Sequence, residues 1–270
     1  MNAFCQLLRS RGSSPAIGTW LVSASPLVAE AVGCAGFDWG VIDMEHSPLD
    51  FGGVVHLLQA VGNTKMVPVL RVPSNDAVMI QRALDAGAQT LMVPRVQGVD
   101  EARAAVAATR HAPQGVRGMT AISRASRFGT LPTYAGDAVR RLALVIELES
   151  PQAIEQLASI AAVPGVDALF VGPADLAAAM GHAGEPMHAD VMTCMAGAAR
   201  SARAMGISVG TMGANAEAAT RYRAMGFDFI ALSSDLGLLM RGAQLAVQAL
   251  RTADVAHVHT LAEGTRTGGG

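Results

Sequence analysis

Eight short apolar runs recur along the chain at Ile17–Leu21, Trp39–Asp43, Met66–Val72, Thr90–Pro94, Ala143–Glu149, Ala168–Gly172, Ile207–Met212 and Phe229–Ser233. Each has the length and β-branched or aromatic content of a buried strand. Between most of them lies a stretch of helical length rich in Ala, Leu, Val and Met, such as Ser74–Ala86 and Pro151–Ala161. A short signature precedes four of the runs: AGFD at 35–38, AGAQ at 86–89, PGVD at 164–167 and MGFD at 225–228. Its glycines, Gly36, Gly87, Gly165 and Gly226, stand where a left-handed residue ends a helix. Ser47-Pro48 and Ser150-Pro151 each read as an N-cap followed by proline in the first turn.

This alternation predicts a single-domain (β/α)₈ barrel over residues 1–251. An open doubly wound sheet is the competing arrangement, but no G-x-G-x-x-G follows the first strand. The connection Gly115–Asp137 is too long for an ordinary link and reads as a functional loop over one end of the barrel. Residues 252–270 have no periodicity and read as a disordered or partner-bound tail.

Composition narrows the class. The chain is 51% hydrophobic with a formal net charge of −2 and no basic run, which excludes a nucleic-acid partner. No apolar stretch reaches the length of a membrane span, and the N-terminus lacks a secretory pattern, so a cytoplasmic protein is expected. Cys5, Cys34 and Cys194 show neither a disulfide framework nor zinc-type spacing.

The polar residues concentrate at the strand exits, where barrels place their chemistry. Trp20 ends the first strand. Asp43, Glu45 and His46 follow the second, Arg71 the third, Glu147 and Glu149 the fifth, and Asp175 the sixth within GPADL. Carboxylates on neighbouring strands form a hard oxygen site suited to Mg²⁺ or Mn²⁺, unless they are a proton-sharing pair or helix caps. Asp43 stands three residues before His46 and is expected to orient its ring and raise its basicity. Arg71 is a permanently charged fork for a carboxylate or an enolate oxygen. The GPADL helix start offers backbone N–H groups to a substrate carboxylate. Such a set suits a 2-oxo acid substrate. The rival Schiff-base route needs a lysine at the site, and Lys65, the only lysine, precedes the third strand.

His182 and His188 flank AGEPM in a loop; both are of metal-ligand type, and the pair reads as solvated. GTMGAN after the seventh strand is a weak match to a phosphate loop, with Asn215 equally an N-cap. Arg117, Arg124 and Arg127 on the long loop read as surface arginines that can also meet an acidic substrate. Met212 reads as a wall for the aldehyde half or as core filling.

The ordered set GTWL, AGFDWGVIDMEHSPLD, VPVLRVP, DAGAQTLMVPRVQ, RGMTAISRASRF, ELES and VDALFVGPADLAAAMGHAGEP, from Gly18 to Leu239, resembles the HpcH/HpaI family of class II pyruvate aldolases. That family includes 2,4-dihydroxyhept-2-ene-1,7-dioate aldolase and 2-dehydro-3-deoxyglucarate aldolase. The resemblance implies a divalent metal (Mg²⁺, Mn²⁺ or Co²⁺) held by Glu149 and Asp175. It implies His46 as base with Asp43 through a metal-bound water, and Arg71 on the keto or enolate oxygen. Gly172 and Ala174 would hold the pyruvate carboxylate by their backbone, with Trp20 lining the pocket. It further implies a homo-hexamer in which Asp85 of a neighbouring subunit approaches the substrate. Glu147 departs from the family pattern, which has glutamine there, and puts the substrate contacts in question. The expected reaction splits a 4-hydroxy-2-oxo acid into pyruvate, or hydroxypyruvate, and an aldehyde. Alternatives on the same site are a decarboxylase of the oxaloacetate type, a lyase for CoA esters (for which the sequence lacks a basic nucleotide patch) and a metabolite-binding barrel without catalysis.

Overall fold

The computed structural model describes residues 1–264 apart from 11, 13, 135 and 137–140, with side chains described as far as Thr252. Eight parallel strands close into a barrel in the order β1 to β8. They are β1 Ala16–Leu21, β2 Trp39–Asp43, β3 Val67–Arg71, β4 Thr90–Val93, β5 Ala143–Leu148, β6 Ala168–Val171, β7 Ser208–Gly213 and β8 Phe229–Ser234. Every one coincides with a predicted run to within a residue or so at each end.

The helices are α1 Ala3–Ser10, α2 Pro26–Cys34, α3 Phe51–Val61, α4 Ala77–Asp85, α5 Val99–Thr109, α6 Pro151–Glu155, α7 Leu157–Ala161, α8 Pro173–Ala179, α9 Ala189–Met205, α10 Ala216–Met225 and α11 Asp235–Gly264. Ser150 caps α6 through Ala153 N–H, and Asn215 caps α10 through Ala218 N–H, as predicted. Ser47 does not start a helix. Its hydroxyl donates to the Asp43 carbonyl, and α3 begins instead after Asp50, whose carboxylate takes the Gly53 N–H at 2.8 Å. The signature glycines all have φ between 96° and 112°, a region a side chain would strain. The reading of residues 252–270 as a tail falls mostly outside the described side chains, although helical backbone continues to Gly264.

Strand parity sorts the core into two shells. Alternate residues of a strand face opposite sides. Ile42, Leu70, Leu91, Ile146, Leu169 and Ile230 pack outward against the helices. Trp20, Trp39, Val41, Val69, Met92, Val145, Phe170, Phe229 and Ala231 fill the interior. By that parity Asp43, Arg71 and Glu147, two residues beyond Val41, Val69 and Val145, also point inward, at the exit end. At the entrance end the large rings need glycine opposite them: a Cβ on Gly18 would lie 2.2 Å from the Trp39 ring, and one on Gly210 2.2 Å from Phe229.

The sequence reading placed no element before the first strand, yet α1 closes the entrance. Phe4 packs edge-on to Trp39 and Phe229 at centroid distances of 5.8 and 5.3 Å. Asn2 ties the plug down through the Gln89 and Arg141 carbonyls at 2.9 and 3.0 Å. The long connection also lies at this end. Arg124 donates to the Ala86 carbonyl at the C-terminal end of α4, and Gly118 N–H to the Gln81 side chain in the middle of that helix. A cavity of about 790 Å³ remains there, lined among others by Asn2, Pro68, Thr90, Arg124 and Phe128. No helix among the described residues is long and apolar enough to cross a membrane.

Candidate active site

Asp43 and Arg71 are register partners at the ends of β2 and β3. Arg71 forks onto the Asp43 carboxylate, Nε to Oδ1 at 2.9 Å and NH2 to Oδ2 at 2.8 Å. Its third nitrogen lies 3.0 Å from Glu45 and 3.4 Å from Glu147. The guanidinium covers the Trp20 ring at 4.2 Å. Burial alone would lower the Arg71 pKa, but the Asp43 bonds and the Glu147, Asp43 and Glu45 charges outweigh it and raise the value. Arg71 is therefore a fixed cation inside the barrel mouth.

Glu147 and Glu149 follow each other out of β5 with different surroundings. Glu147 is buried; that burial, reinforced by Glu149 and Glu45, pushes its pKa well up against the pull of Arg71. Burial of this kind disfavours the charged form of a carboxyl. Glu149 is pushed up to about 7, by burial first and then by Asp175 and Glu45, although a bond from Arg95 N–H and the charge of Arg71 pull the other way. The Arg95 bond is 2.9 Å long and depends on a left-handed Arg95, φ 58°, which aims its N–H at Glu149 Oε2. The other oxygen lies against Gly172, where a Cβ would come within 3.2 Å of it. Asp175 stands exposed in the first turn of α8. The two groups thus form an oxygen-only pair, one rooted and one open to solvent, and this donor set fits a hard divalent cation.

Two expected relationships come out differently. Asp43 does not hold the His46 ring: both its oxygens bond Arg71, and Oδ1 also takes the Glu45 N–H at 2.9 Å. His46 is 55% exposed in its side chain, and its nearest acid is Glu45 at 3.9 Å. The fork geometry of arginine, which matches a carboxylate in two bonds, decides the competition for Asp43. The Gly172 N–H continues the β5–β6 ladder to the Leu148 carbonyl at 3.1 Å. Pro173 has no N–H, so Ala174 supplies the first helix donor facing a ligand. Asp85 sits at the C-terminal end of α4, the entrance side, bonded to Arg117 at 2.7 Å. Within one chain it is remote from the strand exits.

Glu45 stands among the strand-exit residues of the sequence but has no role assigned there. Its side chain is 5% exposed and meets Arg71 and Arg95, each at 3.0 Å, as well as His46. Only its place in the dense DMEH tetrad hinted at this. Trp20 lines the site as expected, and its indole N–H is buried without a hydrogen-bond partner. Met212 lies half-buried against the inner cluster. Lys65 is exposed in the turn entering β3, at the wrong end for Schiff-base chemistry.

A parallel eightfold barrel with a buried cation fork and acidic side chains gathered at its strand exits has the frame of a barrel enzyme. The chain belongs to the HpcH/HpaI aldolase/citrate lyase family, whose model matches residues 16–242. It is 43% identical over 241 residues to 2-dehydro-3,6-dideoxy-6-sulfogluconate aldolase of Pseudomonas putida, covering 89% of this chain and 94% of that one. It is 41% identical over 260 residues to hydroxypyruvate/pyruvate aldolase of Paraburkholderia phytofirmans, covering 93% and 100%. The crystal structure of an HpcH/HpaI aldolase/citrate lyase family protein from Burkholderia cenocepacia superposes with a TM-score of 0.89 at 40% identity, over 93% of this chain and 100% of that one.

Proposed function

We propose that this chain is a divalent-metal-dependent pyruvate aldolase, a carbon–carbon lyase that reversibly splits a 4-hydroxy-2-oxo acid into pyruvate or hydroxypyruvate and an aldehyde. One observation carries the reading: at the strand exits Glu149 feels both the Asp175 carboxylate and the Arg71 cation. The names of the relatives at above 40% identity support the reaction class.

Glu149 and Asp175 would hold Mg²⁺, Mn²⁺ or Co²⁺, and the ion supplies Lewis-acid polarisation of the 2-oxo acid carbonyl. Arg71 stabilises the negative charge that develops on the keto oxygen, and its bonds to Asp43 keep the fork from reorganising as the charge appears. His46, exposed at the strand exits, takes the proton from the C4 hydroxyl. The C3–C4 bond then breaks, its electron pair forms the enolate, and the aldehyde leaves. The same imidazole returns the proton to C3 and yields the methyl or hydroxymethyl 2-oxo acid. Ala174 N–H binds the carboxylate. Trp20 and Met212 bound the pocket, and Glu147 takes the place that glutamine has in the family pattern. Asp85 approaches substrate only from a neighbouring copy in a homo-hexamer, which its distance from its own barrel mouth supports.

The test is deuterium exchange. Metal-stripped protein is incubated with pyruvate in D₂O, and the methyl signal is followed by NMR with and without each ion. Metal-dependent loss of the signal, absent in His46→Ala, is expected. An unchanged methyl signal with every ion would remove the pyruvate reading.

A further inference from the structure

The turn between α8 and α9 gathers a second set of ligands that the proposed reaction does not use. His182 Nε2 lies 3.4 Å and His188 Nδ1 3.7 Å from the same oxygen, Asp190 Oδ2. All three residues offer ligand atoms within 4.8 Å of one another, the only such His/Cys/Asp/Glu group among the described residues. Two ligands on one tetrahedral Zn²⁺ at ~2.0–2.1 Å are separated by roughly 3.3 Å. The two distances to Asp190 are close to that edge.

The backbone holds these groups in place without an ion. His182 N–H bonds the Ala177 carbonyl at 2.8 Å, Glu185 N–H that of His182 at 2.9 Å and His188 N–H that of Glu185 at 2.9 Å. Gly181 and Gly184, at φ 84° and 83°, let the chain double back so tightly that the two imidazoles stack with centroids 3.6 Å apart. Little chain entropy therefore remains to be lost on binding. A coordinated ion lies in the plane of each ring, so the stacked rings must tilt apart, and His188 must release the Asp190 N–H it accepts at 3.3 Å. Both rings are partly exposed, 25% and 34% in their side chains, and have room to do so.

We infer that His182, His188 and Asp190 form a second metal site, selective for a transition ion of the Zn²⁺ type and open to water at its remaining position. The chemistry separates it from the barrel mouth: imidazoles favour Zn²⁺ and its neighbours, whereas a carboxylate pair suits Mg²⁺ or Mn²⁺. A loaded site would cross-link the turn after α8 to the first turn of α9. The inference does not depend on the aldolase reading.

The test is Zn²⁺ titration of the chelator-stripped full chain against a chromophoric competitor, in the Glu149→Gln/Asp175→Asn background. One tight equivalent is expected, insensitive to millimolar Mg²⁺. His182→Ala or Asp190→Asn should weaken it by at least about 100-fold. If the double background does not fold, the wild-type chain saturated with Mg²⁺ is titrated instead, and His182→Ala should remove one Zn²⁺ equivalent. Undiminished Zn²⁺ affinity in His182→Ala, or no tight equivalent before it is introduced, overturns the site.

Discussion

The Arg71 guanidinium and the Asp43 carboxylate, opposite each other on adjacent barrel strands, make two parallel bonds of 2.9 and 2.8 Å and are both buried. Their pairing fixes where this interior cation points. Asp43 is thus a positioning residue for Arg71, and the orientation of His46 falls to Glu45 and solvent.

Asp43→Asn should therefore act on both stability and turnover. It leaves a buried guanidinium only partly neutralised by Glu45, a change that costs ~3–5 kcal/mol in a buried pair. For a domain of this size that is a fall in melting temperature of roughly 6–10 °C, readable by calorimetry. A variant melting within a degree of wild type would show that the pair does not carry this role.

Arg71→Lys keeps the charge but loses the fork, so its ammonium cannot serve Asp43 and the developing oxyanion at once. We expect kcat for aldol cleavage to drop by about 10²–10³, the cost of one preorganised oxyanion donor. Near-normal turnover would mean that a point charge suffices.

Glu147 gives the opposite expectation. Burial favours the neutral form of its carboxyl, so Glu147→Gln puts a neutral group of similar shape in its place. The melting temperature should hold, and kcat/KM should stay within about tenfold, ~1.4 kcal/mol. Collapse of activity in this variant would show that Glu147 works as a carboxylate.

Glu149 sets a pH dependence. Its carboxyl sits at about 7 in the folded protein against an ordinary 4.5. Between those values the folded metal-free protein holds a proton that the unfolded chain has released. On this account stability falls as pH rises through that window. A divalent ion competes with the same proton, so the melting gain from Mn²⁺ should grow from pH 5 to pH 8. Glu149→Gln should flatten both slopes in thermal-shift measurements; a metal gain that shrinks as pH rises would refute Glu149 as a ligand.

His46→Ala should leave the melting temperature unchanged, because the ring is exposed, while abolishing metal-dependent deuterium exchange into pyruvate. Retained exchange would assign the base elsewhere, with Glu45 next in line.

Local sequence determined the strands, the helix caps at Ser150 and Asn215 and the end of the barrel that carries the chemistry. Strand periodicity, cap residues and left-handed glycines are properties of a few neighbouring residues, and they are written where they act. The same holds for the placing of Asp43, Arg71, Glu149 and Asp175 at strand exits. Which partner each group takes was decided by the closed barrel alone. Register sets Arg71 against Asp43, and parity turns Glu147 inward beside it. The left-handed Arg95 reaches Glu149 across 54 residues, and Glu45 is drawn in between two arginines. Competition for a carboxylate depends on distance and geometry among residues remote in sequence, so Asp43 could be read as the partner of nearby His46 until the fold brought Arg71 closer. The stacking of His182 on His188 against Asp190 belongs to the same class: the ligand types stand in the sequence, but the turn that brings them together exists only in three dimensions.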